Sequence, residues 1–145
     1  MSPLPEFDEH GNLPPGLYRP NLNDVIERYS GENNLIRASR TQSLVEFMEF
    51  IRPFAIAVYI DGSYITKKLS PNDVDIVVIL PPNFNYSSPE GEKLSEYSKS
   101  KDYSHLDIFP YIQGKQSHEI DKKVRGWTTD RDNNAKGILY LELNP

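Results

Sequence analysis

The sequence predicts an α/β (α+β) fold in a single domain. Three observations predict it. Short apolar runs bounded by turn residues, Phe54 to Ile60 and Ile76 to Leu80, read as buried strands. Longer segments with apolar residues at helical spacing, clearest between Asn34 and Ile51, alternate with them. A chain of 145 residues is the size of one domain that can bury its own core.

Composition narrows the function classes. Hydrophobic residues make up 37% and charged residues 26% of the chain, an ordinary balance for a globular protein. Sixteen Lys and Arg against 21 Asp and Glu leave a net charge of −5, which argues against a whole-surface nucleic-acid binder but leaves room for a local basic groove. With no cysteine, disulfides and thiolate metal sites are excluded. No apolar run approaches the roughly 18 residues of a membrane span. The first twelve residues carry three acids and no apolar block, unlike a signal peptide. The expectation is a cytoplasmic protein that does not enter membranes.

Residues 1–20 hold five of the twelve prolines, too many for a helix or a central strand. This proline-rich arm either lies along the domain through Leu4, Phe7, Leu13, Leu17 and Tyr18 or frays. The domain proper is expected over 21–145. Asn21 to Tyr29 reads as a short helix capped by Asn21 or Asn23, with Gly31 as its stop. A longer helix follows from Asn34 to Ile51, with Leu35, Ala38, Leu44, Phe47, Met48 and Ile51 as its core face and Pro53 beyond its end. Phe54 to Ile60 is the first buried strand. Tyr64 to Leu69 has room for a turn or two of helix, and Asp73 to Leu80 is a central strand stopped by Pro81-Pro82. Pro89 to Lys101 is a polar helix whose contacts are Leu94 and Tyr97. His105 to Ile112 is a third strand, Ser117 to Gly126 a helix, Thr128 to Lys136 a polar loop, and Gly137 to Leu143 a last strand.

The chemistry concentrates between the first two strands. Alternate residues of a strand share a face, so Asp73 and Asp75 converge on one side. Two such carboxylates repel unless a cation stands between them, and Mg²⁺ takes oxygen ligands together with substrate phosphate. Asp107 is the acid of the third strand. If that strand lies beside the second, Asp107 joins the cluster. Gly62 and Ser63 open a turn whose N–H groups favour anions, and Lys67 and Lys68 are near enough in sequence to neutralise phosphate. Trp127, Arg125, Arg131 and Lys136 sit together in the tail; the reading is packing for Trp127 and solvent for the other three, with base stacking or triphosphate binding as the alternative. His10, His105 and His118 are not read as ligands.

Gly62-Ser63, a nine-residue spacer, Asp73-Val74-Asp75 and a later strand-borne Asp107 resemble the nucleotidyltransferase superfamily related to DNA polymerase β. The resemblance implies a mixed β-sheet flanked by helices. It implies transfer of a nucleoside monophosphate from an NTP to an acceptor, with loss of pyrophosphate. Asp73 and Asp75 would hold two metal ions, Mg²⁺ or Mn²⁺, and Asp107, the third metal carboxylate, would complete the site for the attacking hydroxyl. Leu13-Pro14-Pro15-Gly16, Asp61-Gly62-Ser63 and the tail around Arg131 to Leu141 also look like a branch of short bacterial nucleotidyltransferase-like proteins. Thirty-eight residues follow Asp107, fewer than the helical substrate domain of larger relatives needs. A partner chain or a homo-oligomer would then supply that surface. The acceptor stays open among protein, RNA and small molecule. The alternative is a non-catalytic binding or regulatory module of the same fold, such as one component of a toxin–antitoxin pair.

Overall fold

The computed structural model describes residues 4–144, so residues 1–3 of the expected arm and Pro145 of the expected domain lie outside the described residues. It is a mixed α/β domain. Five strands form one sheet: β1 (Leu17–Tyr18), β2 (Ala57–Asp61), β3 (Val74–Leu80), β4 (Leu106–Ile112) and β5 (Ile138–Glu142). Their spatial order is β1-β5-β2-β3-β4. β2 runs antiparallel to both β3 and β5, β3 runs parallel to β4, and β1 runs parallel to β5. The helices are α1 (Leu22–Tyr29), α2 (Leu35–Ile51), α3 (Pro89–Ser98), α4 (Lys101–Ser104) and α5 (Ser117–Gly126). Among the described residues no helix is long and apolar enough to cross a membrane.

The two faces of the sheet are unequal. Val58, Ile60, Ile76, Val78, Leu80, Leu106 and Ile108 meet α1, α2 and α3 in the larger core, whose centre is Leu44, Phe47, Met48 and Ile51. On the other face Ala57, Val77 and Ile79 pack with Ile120 of α5 and with Phe109 and Trp127. β3 is covered on both sides, which is why it reads as an unbroken apolar run after its acids.

Several details differ from the periodicity, and three of them have a clear local reason. Phe54 and Ala55 still donate to the Ile51 carbonyl, so the chain unwinds from α2 before β2 starts, and the strand runs on to include Asp61. α3 stops at Ser98. Ser100 Oγ then bonds the Tyr97 carbonyl and Ser104 Oγ, and α4 begins as a separate turn ending at left-handed His105 (φ 60). Leu35 and Ala38 of α2 are exposed; the interior positions of its first turns belong to Arg37 and Thr41. Thr41 Oγ1 bonds the Tyr64 hydroxyl, and Arg37 is occupied by backbone carbonyls.

The opening stretch packs into the domain. Leu4 and Leu13 belong to the main core, and β1 adds to the edge of β5. The Leu13 carbonyl accepts the Gly137 N–H at 2.9 Å and the Gly11 carbonyl accepts the Lys67 N–H at 2.8 Å. The chains pass so closely at Gly137 that a Cβ there would lie 2.5 Å from the Pro14 carbonyl oxygen.

Candidate functional site

The site starts from strand register. Asp61 of β2 pairs with Asp75 of β3, and Asp75 pairs with Asp107 of β4. Residues in register on neighbouring strands share a face, so three carboxylates form a row across the sheet, with strands about 4.8 Å apart. Asp73, two positions before Asp75, adds a fourth on the same side. Like charges directly opposite in a sheet are destabilising.

The chain answers this at both ends of the row. Lys136, at the head of β5, forms a buried ion pair with Asp61; the two residues are 8% and 4% exposed. Burial pushes the Asp61 carboxyl up, and the Lys136 ammonium and the Gly62 N–H pull it back. At the other end Lys101 Nζ lies 3.2 Å from Asp107 and 3.7 Å from Asp73. Bonding to Asp107 raises the Lys101 ammonium. His105 Nδ1 stands 3.8 Å from Asp73. Among the described residues Asp75, in the middle, has no ion-pair partner. Burial pushes its carboxyl up to about 6, Asp61, Asp107 and Asp73 push the same way, and Lys101 pulls weakly against them.

The turn after β2 is shaped by these acids. Gly62 has φ 96, and a Cβ on it would stand 2.8 Å from the Asp73 carbonyl oxygen and 3.2 Å from the Asp75 carboxyl carbon. A glycine is required here by the approach of β3 itself, independent of any phosphate. Ser63 begins a single 3₁₀ turn, Ser63–Ile65, and its Oγ accepts the Asn72 N–H at 3.0 Å.

A cavity of about 450 Å³ opens here. Gly62, Ser63, Lys68, Asp73 and Asp75 all line it. Asp107 stands in the carboxylate row but outside that lining. Lys67 is exposed and is likewise outside the lining. In the tail, Trp127 packs edge-on to Phe109 at 6.1 Å and Arg125 is exposed, as expected. Arg131 is exposed, as expected, and also lines the cavity. The solvent position expected for Lys136 is wrong, because Asp61 draws its ammonium inside.

Sequence reasoning missed Asp61 and Lys101 as members of the site, and Asn12 and Asp130 as cavity residues, and it placed Lys136 at the site only as the alternative to solvent. Asp61 carried one signal, an acid closing an apolar strand, but its place opposite Asp75 depends on register. Lys136 carried a weaker one, a lysine at the head of an apolar strand.

The donor set suits a hard cation in chemistry and charge. Among the described residues no three His, Asp or Glu side chains gather closely enough to enclose a metal ion as they stand. Mg²⁺ needs fewer, because it keeps water and substrate phosphate and takes one or two carboxylates from the protein. Asp73 and Asp75 offer such a pair, and Asp75 makes no direct ion pair among the described residues.

No curated protein and no solved structure matches this chain. Residues 5–142 match a family of unknown function, DUF6932, a span that takes in the arm, the carboxylate row and the last strand. The chain therefore belongs to the DUF6932 family.

Proposed function

We propose that the protein is a divalent-metal-dependent nucleotidyltransferase of the DNA polymerase β-like kind. The observation that carries this reading is Asp75, which has no direct ion pair among the described residues and is held between two carboxylates and beside the Gly62-Ser63 turn. Asp73 and Asp75 are the residues to hold Mg²⁺ or Mn²⁺, which when bound offsets phosphate charge and orients the reacting oxygens. Gly62, Ser63 and Lys68 face the nucleotide, and Lys67 reaches it only from the exposed rim. Asp107, beside Asp75, marks the acceptor side. The acceptor oxygen forms a bond to the α-phosphorus, the bond from that phosphorus to the bridging oxygen breaks, and pyrophosphate leaves. The acceptor proton is lost to water. A cytoplasmic setting, with its NTP pool, suits this chemistry.

The test incubates the protein with each of the four α-³²P-labelled NTPs, Mg²⁺ or Mn²⁺ and cell extract. Label should appear on an acceptor with release of pyrophosphate, and Asp73→Ala and Asp75→Ala should abolish it. Labelling at wild-type level by either variant sinks the proposal.

A second reading rests on Lys101. Its ammonium bridges Asp73 and Asp107, which favours a non-catalytic binding or regulatory module, such as one half of a toxin–antitoxin pair, in which these two acids are neutralised from within. A partner chain that co-purifies with a protein unresponsive to Mn²⁺ and NTP supports this reading. Mn²⁺ binding that tightens in Lys101→Ala contradicts it.

A further inference from the structure

The loop at 128–136 is built around Asp130. One carboxylate oxygen accepts the N–H groups of Asp132 and Asn134, both at 2.9 Å. The other accepts Asn12 Nδ2 at 2.9 Å and Asn134 Nδ2 at 3.2 Å. Asn12 is 5% exposed and belongs to the arm, where its own N–H is held by Asp8. At the far end of the loop the Lys136 N–H donates to the Thr128 carbonyl at 2.8 Å, and its ammonium is buried against Asp61. The loop is thus clamped twice, to the arm through Asn12 and to β2 through Lys136. Between the clamps lies Arg131, which lines the cavity.

Charge accounting singles out two cations. Of the five acids lining the cavity, Asp61 is answered by Lys136, Asp73 by Lys101, and Asp130 by the N–H groups of its own loop and Asn12, while among the described residues Asp75 and Asp132 have no ion-pair partner. Among the described residues, the lining cations Lys68 and Arg131 have no acidic partner. A guanidinium presents a planar fork suited to phosphate oxygens, and an ammonium adds a point charge.

We infer that Arg131 and Lys68 bind the β- and γ-phosphates of a nucleoside triphosphate, with Asn12 and Lys136 as positioning residues that hold the Arg131 loop over the cavity. This rests on the transferase reading and names the part of the substrate that the arm and tail serve.

Calorimetric titration of the full chain with Mg²⁺ and the α,β-methylene analogues of the four nucleoside triphosphates tests it, with the matching monophosphates as the second arm. Arg131→Ala should weaken the preferred triphosphate analogue about tenfold or more and Lys68→Ala several-fold, with the monophosphate changed less than twofold. Asn12→Ala should show the same phosphate-dependent loss. The pair Asn12→Asp with Asp130→Asn, which reverses donor and acceptor, should restore it. Arg131→Ala binding the triphosphate analogue as well as wild type overturns the inference and leaves the transferase reading standing. A reversed pair that melts like wild type but fails to restore binding overturns the positioning role. Wild-type protein that binds none of the four triphosphate analogues removes both.

Discussion

Asp75 is the residue on which the account turns. It sits in a row of carboxylates whose ends are neutralised, by Lys136 and by Lys101, while at Asp75 itself burial and repulsion outweigh the distant pull of Lys101. Asp75→Asn is therefore expected to raise the unfolding free energy in EDTA by on the order of 1 kcal/mol, read as a higher melting temperature. Mg²⁺ should stabilise wild type by mass action and leave the variant unmoved. A variant that melts lower in EDTA, or still responds to Mg²⁺, contradicts the placement of the cation. Gly62 is constrained by the same acids. With φ at 96 and the Asp73 carbonyl 2.8 Å from any added Cβ, Gly62→Ala should cost about 1–3 kcal/mol in denaturant melts. A neutral result would mean that the turn can move away from β3. Asp130 titrates in the opposite sense to Asp75. Hydrogen bonds from Asn134 and Asn12 hold its carboxyl down at about 2, below the ordinary 3.8. A lowered folded-state value means that its contribution to stability is complete above 3.8 and is lost as pH falls through about 2. The Asn134 and Asp132 amide resonances should report that midpoint in an NMR titration; a midpoint near 3.8 would show that the loop network does not form.

At the scale of elements, helix α2 joins the core to the site. Its second half packs on the sheet through Leu44, Phe47, Met48 and Ile51. Its first half lodges Arg37, whose guanidinium makes five hydrogen bonds to the carbonyls of Tyr29, Tyr64, Thr66 and Lys68. Those carbonyls belong largely to the loop that brings Thr66 and Lys68 to the cavity. Arg37→Met should cost about 2–4 kcal/mol, because it strands buried acceptors and frees that loop. Hydrogen exchange of residues 66–69 should rise in step, and unchanged exchange would refute the linkage. The elements themselves were legible in the sequence. Apolar runs gave β2, β3, β4 and β5 to within a few residues, Asn21 capped α1, and Leu94 and Tyr97 are the contacts of α3. What local pattern could not give was pairing. The two-residue period put Asp73 and Asp75 on one face, yet the alignment of Asp61, Asp75 and Asp107 arises only when three strands separated in sequence come into register. Arg37 and Thr41 escaped because a helical wheel weighs apolar residues and cannot foresee a polar interior satisfied by carbonyls from another segment.

At the scale of the whole molecule, the arm and tail close the cavity from positions far apart in sequence. The composition of residues 1–20 told of an extended arm, since prolines preclude helix, but not that Leu13 is buried or that Asn12 reaches Asp130 across 118 positions. Such contacts have no local signature. Leu13→Ala should cost about 3 kcal/mol in a urea melt; a loss under 1 kcal/mol would show that the arm is not part of the core. The central claim is that the carboxylate row is a cation-dependent nucleotide site with Asp75 at its centre. Its most direct measurement is Mn²⁺ titration followed by electron paramagnetic resonance, on wild type and on Asp75→Asn, with and without a nonhydrolysable NTP analogue. The account predicts saturable Mn²⁺ binding by wild type, tightened by the nucleotide analogue and lost in Asp75→Asn. Wild-type protein that leaves Mn²⁺ free, or a variant that binds it equally well, would contradict the account.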